Sequence, residues 1–283
     1  MEISYDLFSE IGSCRKINQD MVTAHVSENV SVFAVAEGMG GDSEGEYASS
    51  LAVKAIDDLW LELCENQYSI QAAVDLAVSA IYKINREIQQ YSREKNIICG
   101  STLSVLIIMN DSYAAIKIGD SPIFYADRSG FIHISNEHSL GQMKLKSSPS
   151  EKIAPDPKRD GRLVQAVGVV ERIYPYVRTG QLVGTQAFLI CSDGVSKLLA
   201  PHTISDGLKR VAKGKATKDF LDSLKEEVYC NGATDNLSAV AVYLKDSLNY
   251  GKKIKAFYAI IALCIIVMLA FGGIMLKLLL LNR

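Results

Sequence analysis

The chain has 283 residues, of which 48% are hydrophobic, and this length and composition suffice for one large folded core. Its formal charge of -2 conceals an asymmetry, because residues 252–283 carry five basic side chains and no acid, leaving 25 basic and 32 acidic residues in 1–251. A body of charge -7 argues against a nucleic-acid partner, since phosphate backbones require a basic face.

Apolar alternation and β-branched runs predict seven strands, and two longer segments have helical periodicity. Runs of strands interrupted by a pair of helices favour an α+β fold of antiparallel sheets covered by helices. The stretch 140–163 is rich in charge and holds three prolines, which predicts an irregular surface flap. The predicted helices cover 44–63 and 69–95, and the predicted strands cover 21–27, 30–36, 103–109, 112–118, 123–126, 187–191 and 237–244.

The segment 256–276 contains no charged residue over 21 positions, and as a helix it would measure about 31 Å, the thickness of a bilayer core. Three lysines precede this segment, whereas only Lys277 and Arg283 follow it. The positive-inside rule therefore predicts one transmembrane helix with the preceding body in the cytoplasm. The predicted organisation is a body at 1–244, a basic linker at 245–255, a membrane span at 256–276 and a short tail at 277–283.

The cysteines and the N-terminal residues bear on the compartment. Six cysteines show no CxxC spacing, which favours free thiols in a reducing environment over a disulfide framework. The opening MEISYDLFSE has neither a basic region nor an apolar core, so no N-terminal signal peptide is expected. Both features agree with a cytoplasmic body.

Several apolar strands end in a carboxylate beside a small turn residue. Glu37 follows VFAVA, Asp120 follows AAIKIG, Asp193 follows FLICS, and Asp235 precedes the strand LSAVAVYL. A single acid of this kind is ordinarily a turn or capping residue. Four together favour a shared cation, because clustered carboxylates repel one another unless they are neutralised. Oxygen ligands select Mg²⁺ or Mn²⁺ over zinc.

Other hydrolytic sites find little support in the sequence. The four histidines lack the spacing of metal ligands, which disfavours zinc sites and histidine-dependent hydrolysis.

Eight segments, in order, resemble the bacterial form of the type 2C, metal-dependent protein serine/threonine phosphatases. The most distinctive are GSCRKINQD, VFAVAEGMGGDSEGEYAS, CGSTLSVLII, IGDSPIFY and FLICSDGVSKLL, and the series is completed by ISNEHSL, RLVQAVG and ATDNLSAVAVYL. The resemblance implies a four-layer α/β/β/α sandwich, in which two antiparallel sheets are flanked by helices and a two-metal site lies at one end.

The resemblance also implies roles for individual residues. Arg15 matches the arginine that binds the substrate phosphate, and its planar guanidinium suits bidentate recognition. The expected reaction is in-line attack on phosphoserine or phosphothreonine by a hydroxide that bridges two Mn²⁺ or Mg²⁺ ions. Met39 lies where some relatives carry a histidine proposed as a general acid. The implied metal ligands are Glu37, the carbonyl of Gly38, Asp193 and Asp235, while Asp20 and Asp120 face the metals through water or a third, looser ion.

One departure from the family pattern leaves alternatives open. Glu37 stands where the family has aspartate, and its extra methylene moves the carboxylate by roughly 1.5 Å. The sequence therefore allows an active phosphatase, a weak or inactive phosphoprotein-binding adaptor, or another metal-dependent phosphoester hydrolase. The expected partners are phosphorylated proteins, a serine/threonine kinase or its targets, and membrane lipid around the C-terminal helix.

Overall fold

In this computed structural model the chain forms two units. The first is a compact body, Ile3–Lys245, and the second comprises residues 1–2 and 246–283. The structure describes residues 1–41, 44–134, 165–245 and 258–261. The predicted flap at 140–163 lies outside the described residues, as do almost all of the predicted linker, span and tail.

Two sheets form the body. Their strands, in chain order, are β1 (Glu2–Glu10), β2 (Asp20–Val26), β3 (Val30–Met39), β4 (Gly100–Ser101), β5 (Leu103–Met109), β6 (Ser112–Ile118), β7 (Ile123–Asp127), β8 (Phe131–His133), β9 (Tyr176–Gln181), β10 (Gln186–Cys191) and β11 (Leu237–Lys245). The first sheet has the order β2-β3-β5-β6-β9, with β4 paired to β3, and the second has the order β1-β11-β10-β7-β8. Antiparallel pairing joins the central strands of both sheets.

Helices cover the outer face of each sheet. The helices are α1 (Glu44–Glu65), α2 (Ile70–Lys95), α3 (Asp193–Ser196), α4 (Pro201–Ala212) and α5 (Thr217–Cys230). The α1 and α2 helices pack on the first sheet, and α4 and α5 pack on the second. Helix α2 begins at the cap Ser69, whose hydroxyl accepts the Ala72 N–H, and it ends at Asn96, which adopts a left-handed φ of 52°.

The alternation of side chains along β3 separates the layers of the core. Val32 and Ala34 lie in the apolar cluster shared with α1 and α2, whereas Phe33 and Val35 lie in the cluster between the two sheets. Tyr5 of β1 meets the Phe33 ring edge-to-face at 5.4 Å. The prediction of two antiparallel sheets flanked by helices is therefore confirmed.

The seven predicted strands and two predicted helices all form near their predicted positions. The sequence analysis missed β1, β4, β8, β9 and the three helices after residue 192. Strands β4 and β8 have only two and three residues, and no residue of β1 or β9 is fully buried. The five cysteines in the described part of the chain are free thiols, as predicted.

The described part of the chain contains no helix that is both long enough and apolar enough to cross a membrane. Residues 258–261 of the predicted span are helical. The remainder of the span lies outside the described residues, so the transmembrane helix stays a prediction.

Candidate metal centre

Acidic side chains from both sheets meet at one edge of the body. Asp20 begins β2 and lies opposite Glu37 near the end of β3, since the two residues are partners in the antiparallel register. Asp120 lies in the turn between β6 and β7, and Asp193 begins α3 directly after β10. Asp235 lies in the turn before β11. The topology thus gathers the acids that the sequence analysis singled out, although they are far apart in the chain.

Three of these carboxylates form a compact group. Glu37, Asp120 and Asp193 each offer one oxygen, and these oxygens all lie within 4.8 Å of one another. Glu37 Oε2 accepts the backbone N–H of Asp193 at 3.3 Å and the hydroxyl of Ser121 at 3.2 Å. The longer glutamate side chain therefore does not swing away from the cluster.

The backbone of Glu37 is held on both sides by the neighbouring strand. Its N–H donates to Thr102 Oγ1 at 3.0 Å, and its carbonyl accepts the Thr102 N–H at 2.9 Å. The Ser101 hydroxyl donates to the same carbonyl at 3.1 Å. Thr102 Oγ1 and Ser121 Oγ share a further hydrogen bond of 2.8 Å. A network of small hydroxyl side chains thus sets the position from which the Glu37 carboxylate reaches the cluster.

Burial and mutual repulsion both disfavour the ionised forms of the clustered carboxylates. Burial raises the pKa of Glu37 well above its usual value, and the charges of Asp193, Asp20 and Asp120 raise it further. Burial likewise raises the pKa of Asp120, with a contribution from Asp193. A divalent ion bound among these oxygens would relieve both the desolvation and the repulsion.

Asp20 provides a second indication of a cation-binding site. It is 2% exposed, and neither carboxylate oxygen has a hydrogen-bond partner among the described residues. The hydroxyls of Ser192 and Ser238 lie near enough to lower the pKa of Asp20, but they donate to the Ser238 carbonyl and to Ser9. Burial raises the pKa of Asp20 to about 7. Buried polar groups are rarely left unpartnered, so this carboxylate fits a site completed by an ion or by its water.

Arg15 and Asp235 form an ion pair beside the cluster. The guanidinium Nη2 donates to Asp235 Oδ2 at 2.7 Å, and this hydrogen bond raises the pKa of Arg15. Asp235 Oδ1 accepts the backbone N–H of Asn236 at 2.8 Å. Asp235 therefore pairs with Arg15 and does not belong to the compact group of three carboxylates.

Gly38 is tightly enclosed by backbone. A Cβ atom at this position would lie 2.1 Å from the carbonyl oxygen of Gly45 at the start of α1 and 2.6 Å from that of Gln19. Packing alone thus requires glycine here. The role of its carbonyl as a metal ligand stays a prediction.

Two functional candidates were missed by the sequence analysis. Lys197 contacts the Asp193 carboxylate, and its Nζ lies 3.7 Å from Asp120 Oδ2. The Asn236 side chain donates to the carbonyls of Ile11 and Ile17 and accepts the N–H of Gln19, so it anchors the segment that carries Arg15. The four-residue spacing of Asp193 and Lys197 predicts a contact between them only if the segment is known to be helical.

The donor set suits hard divalent cations. The three side chains of the compact group offer carboxylate oxygens, and no histidine or cysteine belongs to this group among the described residues. Such oxygen ligands are those preferred by Mg²⁺ and Mn²⁺. Beside these ligands, Arg15 offers the planar hydrogen-bond donors that recognise a phosphate.

Comparison with known proteins agrees with this chemistry. A family model described as protein phosphatase 2C matches residues 15–239. The chain is 26% identical over 251 residues to protein phosphatase PhpP of Streptococcus pneumoniae serotype 2, covering 87% of this chain and 98% of the relative. It is 24% identical over 218 residues to serine/threonine phosphatase stp of Listeria welshimeri, covering 76% and 85%.

Solved structures share the fold. The serine/threonine phosphatase of S. agalactiae superposes with a TM-score of 0.76 at 23% identity, covering 86% of this chain and all of that one. The catalytic domain of the phosphatase PstP, crystallised with two manganese ions, gives a TM-score of 0.70 at 23% identity, covering 86% and 99%.

Proposed function

Because the chain belongs to the protein phosphatase 2C family, we propose that its acidic cluster binds Mn²⁺ or Mg²⁺ ions. With these ions the enzyme hydrolyses phosphoserine and phosphothreonine on proteins, and it does so at a membrane surface. The chain is a protein serine/threonine phosphatase that depends on these ions. The proposal concerns how its own residues perform the reaction and where it takes place.

One observation carries the assignment of the site. Glu37, Asp120 and Asp193 bring three carboxylate oxygens within 4.8 Å of one another, and beside them the buried Asp20 carboxylate accepts no hydrogen bond of good geometry from the described residues. An arrangement of this kind is costly for a purely structural role. It is favourable for a site that holds divalent cations.

The residues of the chain have separable tasks in this site. Glu37, Asp193 and Asp120 hold the ions, with Asp20 behind them. When bound, the ions supply a water nucleophile of lowered pKa and neutralise charge on the phosphoryl oxygens. Arg15, held by Asp235, positions the phosphate for in-line attack. Asp235 is proposed as a further ion ligand, and its carboxylate pairs with Arg15.

The leaving serine or threonine oxygen needs a proton from another source than residue 39. Met39 pairs with Gly100 of β4 at the edge of the site, and its thioether carries no proton. We expect water to protonate the leaving group, which agrees with packing as the role of Met39.

Dephosphorylation of a phosphothreonine peptide by the full chain in Mn²⁺ tests the proposal. We expect turnover that is lost on chelation and falls by at least about 10³-fold in Asp193→Asn, because a ligand is removed. Asp58→Asn is the matched control, since Asp58 is also an acid paired to a lysine four residues away, on the exposed face of α1. Equal turnover in the wild type and Asp193→Asn would refute the assignment.

The alternative of a phosphoprotein-binding adaptor has its own outcome. An adaptor would bind the phosphopeptide without turnover at any Mn²⁺ or Mg²⁺ concentration, and Glu37→Asp would then create activity. Turnover by the wild type excludes this alternative. The contacts of the Glu37 carboxylate with Asp193 and Ser121 favour activity.

The membrane location is a separate part of the proposal. It is supported by the uncharged segment 256–276 and by the three lysines before it. A tether would concentrate the enzyme near phosphorylated membrane proteins, such as a serine/threonine kinase or its targets. We expect the full chain to remain in the membrane fraction after alkaline washing and residues 1–245 to be released. Release of the full chain by the wash would refute the tether.

A further inference from the structure

Lys197 is the cationic side chain that lies on the acidic cluster itself. It follows α3 and lies one helical turn after Asp193, so its ammonium returns to the Asp193 carboxylate. Its Nζ is also 3.7 Å from Asp120 Oδ2. Both partners belong to the compact group with Glu37. The lysine therefore bridges one side of the proposed metal centre.

A second cationic side chain lies beside the cluster. There Arg15 pairs with Asp235 at 2.7 Å. The two partners of Lys197 have largely buried side chains, with exposures of 12% for Asp120 and 16% for Asp193, whereas the lysine side chain is 59% exposed. The ammonium thus contacts two carboxylates that could otherwise bind a further ion.

Charge balance gives this position a consequence. If Asp20, Glu37, Asp120, Asp193 and Asp235 are all ionised, Arg15 and Lys197 offset two of the five negative charges, and the buried Lys117 also favours the ionised form of Asp120. Two divalent ions then bring the site close to neutrality before a phosphate binds. A third ion would meet the repulsion of the Lys197 ammonium at the Asp120 and Asp193 oxygens.

We propose that Lys197 is a fixed cation on the Asp120 side of the cluster, which limits the site to two divalent ions and excludes a third. The inference rests on the proposed function, because it requires that the cluster hold metal ions. Lys197 acts through the acids and is a positioning residue. Its effect is on metal stoichiometry, a quantity that a merely surface-exposed lysine would not change.

The test is Mn²⁺ binding to the full chain, measured by calorimetry and by electron paramagnetic resonance of free Mn²⁺. We expect two bound ions in the wild type and three in Lys197→Gln, with the third ion lost again when Asp120→Asn is added. Lys197→Arg keeps the charge and should retain two ions. Lys197→Met, which keeps the aliphatic stem, replaces the glutamine variant if thermal melting shows that the latter does not fold.

Lys218→Gln is the matched control. Lys218 forms a lysine–aspartate pair at the same four-residue spacing with Asp222 on α5, away from the cluster, and its loss should leave two bound ions. Three ions in the wild type, or two in both Lys197→Gln and Lys197→Met, would overturn the inference. No Mn²⁺ binding to the wild type would overturn the proposed metal site as well, so the two failures are distinguishable.

Discussion

The buried carboxylate of Asp20 makes a quantitative prediction about stability in the absence of metal. Burial raises its pKa from 3.8 to about 7, so the folded state binds this proton more tightly than the unfolded state. At about 1.36 kcal/mol for each tenfold change in proton affinity, ionised Asp20 destabilises the metal-free fold by about 4 kcal/mol. Protonated Asp20 stabilises the metal-free fold relative to the ionised form. This stabilisation is complete below pH 4 and is lost as the pH rises through 7.

Asp20→Asn removes this titration. As the pH rises from 5 to 8, the free energy of unfolding of the metal-free variant should increase by about 3 kcal/mol relative to that of the wild type. Most of the difference in proton binding between the folded and unfolded wild type lies in that interval. Urea unfolding in the presence of a chelator, at several pH values, measures this change. Comparing the two proteins at each pH cancels the contributions of other titrating groups.

The sign of the stability difference between the variant and the wild type at pH 8 should reverse when metal is added. Mn²⁺ binds the folded wild type and restores its stability at pH 8, whereas the variant lacks the carboxylate and should gain less. A difference between variant and wild type that stays constant from pH 5 to pH 8 without metal would refute the assignment of a raised pKa to Asp20.

Three further substitutions probe the surroundings of the site. Arg15→Lys replaces a planar fork by a point charge and should reduce kcat/KM for a phosphopeptide by about tenfold or more, measured by steady-state kinetics, while Mn²⁺ affinity changes little. Gly38→Ala places a Cβ 2.1 Å from a carbonyl oxygen at the start of α1 and should cost about 3 kcal/mol in urea unfolding, whereas Gly130→Ala, which meets nothing within 4 Å, should cost little. Asn236→Ala leaves three backbone partners unsatisfied and should lower stability by about 3 kcal/mol and turnover with it; an unchanged melting temperature would contradict the anchoring role.

The central strands were predictable because both of their faces are buried. Strands β5 and β10 are buried at every position, and their sequences are apolar except for Ser104 and Gln186. Strands β1 and β9 alternate between exposed and half-buried positions and include charged residues, so they lack such a run. Their place in the sheets depends on pairing with β11 and β6 rather than on their own composition.

The acids of the site were predictable for a related reason. Glu37, Asp120 and Asp193 lie at the ends of apolar strands and Asp235 precedes one, and the ends of paired strands are neighbours in space, whereas Asp20 was identified through the resemblance alone. The cationic partner Lys197 was not predictable, because its contact with Asp193 depends on the four-residue helix between them. Asn236 was likewise missed, since its partners lie more than 200 residues away in the chain.

The glutamate at position 37 shows most clearly what tertiary structure adds. From sequence, its extra methylene only displaces a carboxylate by roughly 1.5 Å. In the fold, the backbone of Glu37 is fixed by Thr102, and its Oε2 has two donors, the Ser121 hydroxyl and the Asp193 N–H. A shorter aspartate would withdraw from both donors while the backbone stays in place. We therefore infer that this centre is built around glutamate, and that Glu37→Asp weakens metal binding instead of restoring a better site.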